Sequence, residues 1–104
     1  MKFIFLTLIC ITLTGRAHSE GLNLSVADIE YGKYLSGECV TCHHTKALNT
    51  EIPSISGLEP NIFVSLMLAY KSKEIEHPIM QMIAERLSED QIISLAVYFS
   101  KLNR

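Results

Sequence analysis

The stretch Cys39-Val40-Thr41-Cys42-His43 constrains this chain more than any other, because two thiols and an imidazole are compressed into five residues. One further cysteine is present, Cys10, and it lies in a segment with the pattern of an export signal. Lys2 is followed by an apolar run over residues 3–13 and by a polar stretch that ends Ala17-His18-Ser19. Cleavage before Glu20 is expected, so that residues 1–19 form a signal peptide and residues 20–104 a single domain delivered to the periplasm. The apolar run is about half the length of a bilayer-spanning helix, which makes a retained anchor the weaker alternative. Acylation at Cys10 is weaker still, because Ile9 is bulky where a small side chain is expected. Cys39 and Cys42 are then the only thiols of an exported domain, in a compartment where free thiols oxidise. Either they pair with each other or something else consumes them.

A domain of this size buries a limited core and commonly needs a disulfide, a metal or a cofactor to hold it. Removal of the first 19 residues leaves seven basic residues against all eleven acidic ones, a net charge of −4. That balance supplies no basic stripe for displacing counterions from phosphate, and nucleic acid is excluded as an expected partner. No glycine-rich phosphate-binding pattern occurs either.

The remaining pattern is helical. Ser25 with Asp28 reads as a capping box, which predicts a helix over residues 26–38 with Ile29, Leu35 and the Tyr31/Tyr34 rings on its apolar side. Gly32 inside that helix weakens it relative to alanine and implies that another helix or a ring approaches the backbone there. Residues 44–57, punctuated by Pro53 and Gly57, read as a loop. A second helix follows with Pro60 in its first turn and Phe63, Leu66, Met67 and Tyr70 on one face. The run KSKEIE over residues 71–76 reads as its solvated exit. His77-Pro78 breaks the chain before a short helix over residues 79–86. Ser88 and Gln91 form a capping box for the last helix, with Ile92, Leu95, Ala96, Phe99 and Leu102 as its stripe. No period-2 segment stands out, so an all-α domain is expected.

In that setting CxxCH is the attachment pattern of a c-type haem. Two thiols add to the two vinyl groups of one haem, the two intervening residues set the sulfurs at the separation of those vinyls, and His43 comes next as a proximal iron ligand. Thioether formation would also account for both thiols. A zinc site would need a second Cys/His pair, for which His44 and His77 are poorly spaced. A thioredoxin-like CxxC needs a strand–helix setting that is missing, and a plain disulfide across so short a loop is strained. A haem used for electron transfer takes a sixth ligand, often a methionine sulfur. Met80, just after the proline break, is the first candidate; His77, Met82 and an open site are the alternatives. Met67, on an apolar helix face, is expected in the core.

The order Gly32-Lys33-Tyr34-Leu35, CVTCH, Pro53-Ser54-Ile55-Ser56-Gly57, Met80 and LSEDQIISLAVYF (87–99) resembles the class I c-type cytochromes over roughly residues 26–102. The stretch PSISGLEPNIFVSLMLAYKSKEIEHPIMQMIAERLS (53–88) is most similar to the cytochrome subunit of flavocytochrome c sulfide dehydrogenases. The resemblance implies a small class I cytochrome c fold in which the first and last helices cross at Gly32, near Leu95 and Tyr98, around one haem c held through Cys39 and Cys42. It implies iron ligation by His43 and Met80, with the Pro53 carbonyl accepting a hydrogen bond from the His43 imidazole. It further implies a flavoprotein subunit or another redox protein as partner, met through an apolar patch including Ile62, Phe63 and Ile79. With the short apolar run removed in the signal peptide, no membrane span is expected in the exported chain. Two positions depart from the family pattern. Ser36 stands where many relatives carry an aromatic ring, and His44 stands where glycine is common.

Overall fold

The computed structural model describes residues 22–43 and 52–103. The expected signal segment and the stretch 44–51, including His44, lie outside the described residues. Within them every regular element is helical: a 3₁₀ turn at Leu24–Val26, then α1 (Ile29–Leu35), α2 (Gly37–Val40), α3 (Pro60–Lys71), α4 (Pro78–Glu85) and α5 (Glu89–Ser100). The all-α expectation therefore holds for the described residues.

α5 is the hub. Ser88 Oγ accepts from the Gln91 N–H at 3.2 Å while Gln91 Oε1 accepts from the Ser88 N–H at 2.9 Å, which satisfies two backbone donors at the helix start. Ile92, Ile93, Leu95, Ala96 and Phe99 are buried along it, as is Ser94. α3 packs on one side, bringing the Phe63 ring into a stacked contact with Phe99 at a centroid separation of 5.8 Å. Burying side chains such as Ile92, Leu95 and Phe99 contributes about 1.5–3 kcal/mol each.

α1 crosses α5 at the expected glycine. A Cβ on Gly32 would lie 2.3 Å from the Ser94 carbonyl oxygen and 3.1 Å from Tyr98 Cβ, so only hydrogen fits between the two backbones. Ser94 serves the same junction twice, since its Oγ also accepts from the Asp28 N–H at 3.0 Å. Gln91 adds a third tie by donating from Nε2 to the Tyr31 hydroxyl at 2.8 Å.

The entry to α1 differs from the sequence reading. Ser25 does not open a helix, because its N–H turns back to the Asn23 side chain at 3.1 Å and closes the 3₁₀ turn. Asp28 is the cap instead, its carboxylate accepting from the Tyr31 N–H at 3.0 Å, and asparagine and aspartate are caps at least as strong as serine. Tyr34 is 80 % exposed and Tyr31 is exposed too; the two rings stack on each other outside the core. The buried positions on this side are Gly32 and Ser36, and at Gly32 the helices approach too closely to admit a ring.

α3 shows a similar rotation. Glu59 caps it through the N–H groups of Asn61 and Ile62, and Pro60 occupies the first turn where its missing donor costs nothing. Val64 joins Phe63 and Met67 in the core, whereas Leu66 stays exposed. The helix ends in a Schellman motif: Glu74 N–H reaches Ala69 O, Lys73 N–H reaches Tyr70 O, and Lys73 takes the left-handed conformation at φ 66°. No helix among the described residues is long and apolar enough to cross a membrane.

Candidate functional site

The sulfur pair and the imidazole straddle the C-terminal end of α2. Cys39 is in the helix, Thr41 keeps helical backbone angles, and the N–H groups of Cys42 and His43 both reach back to the Cys39 carbonyl, at 3.2 and 2.8 Å. Spacings of three and four residues on a helical turn place Cys42 and His43 on the face occupied by Cys39. The expected long first helix divides at Ser36, whose hydroxyl donates to the Lys33 carbonyl at 2.6 Å, yet bonds from Ser36 N–H to Gly32 O and from Val40 N–H to Ser36 O keep the two pieces in register.

The two thiols have different surroundings. Cys39 is half-buried against the core and Cys42 is exposed; neither is in a disulfide. Burial, reinforced by the neighbouring Glu38 carboxylate, raises the Cys39 thiol from 9.0 to about 11. A nucleophilic CxxC needs the opposite, a thiolate stabilised near neutral pH, so the surroundings of Cys39 oppose disulfide-exchange chemistry.

His43 is held by a residue ten positions further along the chain. Its Nδ1 lies 2.7 Å from the Pro53 carbonyl oxygen. A carbonyl only accepts, so Nδ1 carries the hydrogen and the lone pair of the neutral ring is left on Nε2. Pro53 is followed by buried Ser56 and by Gly57 at φ 74°, whose N–H donates to Phe99 O at 2.8 Å. The imidazole is thereby referenced to the C-terminal end of α5.

The methionines separate by environment. Met67 is buried between α3 and α5 as expected, Met82 is 54 % exposed, and Met80 is half-buried against the core in the first turn of α4. His77 has another occupation: it is the N-cap of α4, and its Nδ1 accepts from the Met80 N–H at 3.2 Å. With one nitrogen accepting that bond and the other protonated in the neutral ring, His77 offers no free lone pair to a metal while it caps. α2 and α4 lie on the same flank, where Arg86 at the end of α4 reaches Glu38 at 3.7 Å; both partners are exposed, so the pair contributes little energy. Among the described residues no three His, Cys, Asp or Glu side chains converge, and His44 lies outside them.

The apolar patch expected around Ile62, Phe63 and Ile79 is present only in part. Ile62 and Ile79 are 50 % and 61 % exposed, but Phe63 is committed to the core by its contact with Phe99. One contributor escaped the sequence reading. Lys71, taken as part of a solvated exit, lays its ammonium over the end of α4 and donates to the carbonyls of Ala84, Glu85 and Leu87. Nothing in its local sequence signals this, because the acceptors arrive from 13 to 16 residues downstream. No family model matches the chain, and no curated protein matches it significantly.

Proposed function

We propose that this chain is an electron-transfer protein of the class I cytochrome c type, carrying one haem c. The observation that carries the reading is the His43 Nδ1 to Pro53 carbonyl bond beside a free Cys39/Cys42 pair on the same helical turn. The donor set fits: two unpaired sulfurs for thioether links, an imidazole whose outer nitrogen keeps its lone pair, and a half-buried thioether at Met80. When bound, the haem supplies a one-electron ferric/ferrous couple. Cys39 and Cys42 would hold it covalently, and His43 and Met80 would be the metal ligands. Pro53 fixes the orientation of the imidazole, and the α1/α5 crossing at Gly32 supplies the frame. On this reading the chain catalyses no bond-making reaction by itself; its residues set the potential through ligand identity, burial and hydrogen bonding.

The similarity of residues 53–88 to cytochrome subunits of flavocytochrome c sulfide dehydrogenases supports a flavoprotein subunit as the electron donor, after export to the periplasm. Exposed Ile62, Leu66, Ile79 and Met82 on α3 and α4 are available for such a contact. The alternative within the class is a freely diffusing carrier serving another redox protein.

The test is expression behind the native signal in a host able to mature c-type cytochromes. The expected products are a polypeptide heavier by one covalent haem and a ferric absorption band near the red edge that reports sulfur ligation. An exported chain with no added macrocycle overturns the reading. Rapid carbon monoxide binding to the native ferrous protein would replace the carrier by a ligand binder with an open site. Co-purification of a flavin-containing subunit, and sulfide-dependent reduction in its presence, would select the sulfide dehydrogenase over the free carrier.

A further inference from the structure

α4 is short and carries an exposed apolar side at Ile79 and Met82, yet both of its ends are fastened by side chains from outside its own hydrogen-bond ladder. At the C-terminal end stands the Lys71 ammonium, with three N–H donors against three backbone carbonyls: 3.5 Å to Ala84, 3.2 Å to Glu85, and a close contact to Leu87. These carbonyls belong to the helix terminus and the residues just past it, where the backbone runs out of internal donors and the dipole favours a cation. At the N-terminal end stands His77, whose Nδ1 takes the Met80 N–H. The Tyr70 ring meets His77 edge-on, with centroids 6.2 Å apart and an interplanar angle of 79°. Two consecutive residues at the end of α3 therefore touch opposite ends of α4. Gln81 adds a tie between them by donating from Nε2 to the Ile75 carbonyl at 3.0 Å.

Resting on the reading of Met80 as the axial sulfur, we infer that Lys71 and His77 are positioning residues that hold α4 rigidly against α3 and so fix where Met80 sits. α4 is joined to the core mainly through Ala84 and Met80, and a helix of this length is unstable without tertiary support. Register along α4 is then decided by its two polar fastenings. A lost fastening lets the first turn, and Met80 with it, swing without unfolding the α1/α5 frame.

The experiment uses the exported, haem-loaded protein and its Lys71→Met, Lys71→Arg, His77→Ala and His77→Asn variants, with two readouts. Amide hydrogen exchange reads α4 directly. Lys71→Met removes the cation while keeping the aliphatic stem, and exchange at Met80 and Gln81 should quicken about tenfold, the scale of a hydrogen bond to a charged group, with the amides of α5 unchanged. Lys71→Arg and His77→Asn, which keep a cationic donor and a capping acceptor, should restore most of the protection; His77→Ala should not. In parallel, the red-edge sulfur band should weaken and carbon monoxide binding to the ferrous protein should quicken in Lys71→Met and His77→Ala. Unchanged α4 exchange in both of those variants overturns the fastening, whatever ligates the iron. Quickened exchange with an unaltered sulfur band overturns the positioning of Met80. A wild-type protein without that band but with Lys71-dependent exchange overturns Met80 as ligand, and with it the Met80 part of the proposed site, while the fastening of α4 stands. Absence of the band from the wild-type protein and its appearance in His77→Asn would make His77 itself the ligand and overturn its role as a cap.

Discussion

The junction of α1, α3 and α5 and the flank formed by α2 and α4 are held together in different ways. At the junction, apolar side chains from α3 and α5 interlock, two helices touch backbone to backbone at Gly32, and the one buried hydroxyl facing α1, Ser94 Oγ, has a partner in the Asp28 N–H. On the flank, Val40, Ile79 and Met82 remain exposed, two thiols are unpaired, and the attachments are polar: Lys71 on helix-end carbonyls, His77 on an amide, Arg86 on Glu38. Apolar burial and close packing give the junction its stability, since they scale with area and depend on shape. Polar fastenings on exposed side chains give direction with less energy, which on the proposed function suits a region that presents donor atoms rather than covering them. Stability and chemistry are thus assigned to separate parts of one small chain.

Substitutions that weaken one part and spare the other would break this comparison. The largest contrast is between Phe99→Ala and Ile79→Ala. Phe99 is 1 % exposed, and its truncation should cost about 3–5 kcal/mol in denaturant unfolding. Ile79→Ala should stay within about 0.5 kcal/mol. Equal costs would mean that the flank is packed as tightly as the junction. Next is Gly32→Ala, where the added carbon meets the Ser94 carbonyl and the helices must part, at about 1–3 kcal/mol. An unchanged midpoint in guanidinium would show that α1 does not cross α5 at this residue. Ser94→Ala should be milder, about 1–2 kcal/mol, because the Asp28 N–H loses its acceptor. A deficit confined to the exchange rates of α1 would locate that loss.

The smallest effect concerns the thiols before any attachment. Cys39 is raised to about 11, so in the folded chain it keeps its proton above pH 9.0, where an unfolded thiol has begun to release its own. Its contribution to stability is full below pH 9.0 and is lost as pH climbs from 9.0 through about 11. Alkylation of the unmatured chain should accordingly mark exposed Cys42 first, with Cys39 catching up only as the solution approaches the upper end of that range. Equal rates at both cysteines near pH 8 would show that Cys39 is not shielded.

Much of the site was readable in order along the chain, because its parts are local. Cys39, Cys42 and His43 fall on one turn by spacing alone, the His77-Pro78 break sets the start of α4, and Gly32 announced a close approach that the Ser94 carbonyl supplies. The bond from His43 to the Pro53 carbonyl was reached through family likeness, since the two residues are ten positions apart and no short-range pattern pairs them. Other parts could not be read. Val64 rather than Leu66 faces the core, Tyr31 and Tyr34 stack outward, and Phe63 is withdrawn from the surface by Phe99. An apolar-rich helix offers several faces of similar hydrophobicity, and the choice among them belongs to its neighbours.

By itself, the sequence determined what backbone geometry and short-range hydrogen bonding determine: helix content, the Ser88/Gln91 box, the proline starts of α3 and α4, and the grouping of two sulfurs with one imidazole. Tertiary structure alone decided which helix faces are buried, that Ser94 joins α1 to α5, and that Lys71 closes the end of α4. Caps and turns are settled within four or five residues, where the chain has few conformations to choose among. Contacts between distant residues depend on the summed packing of every element at once, and no short window of residues contains that sum.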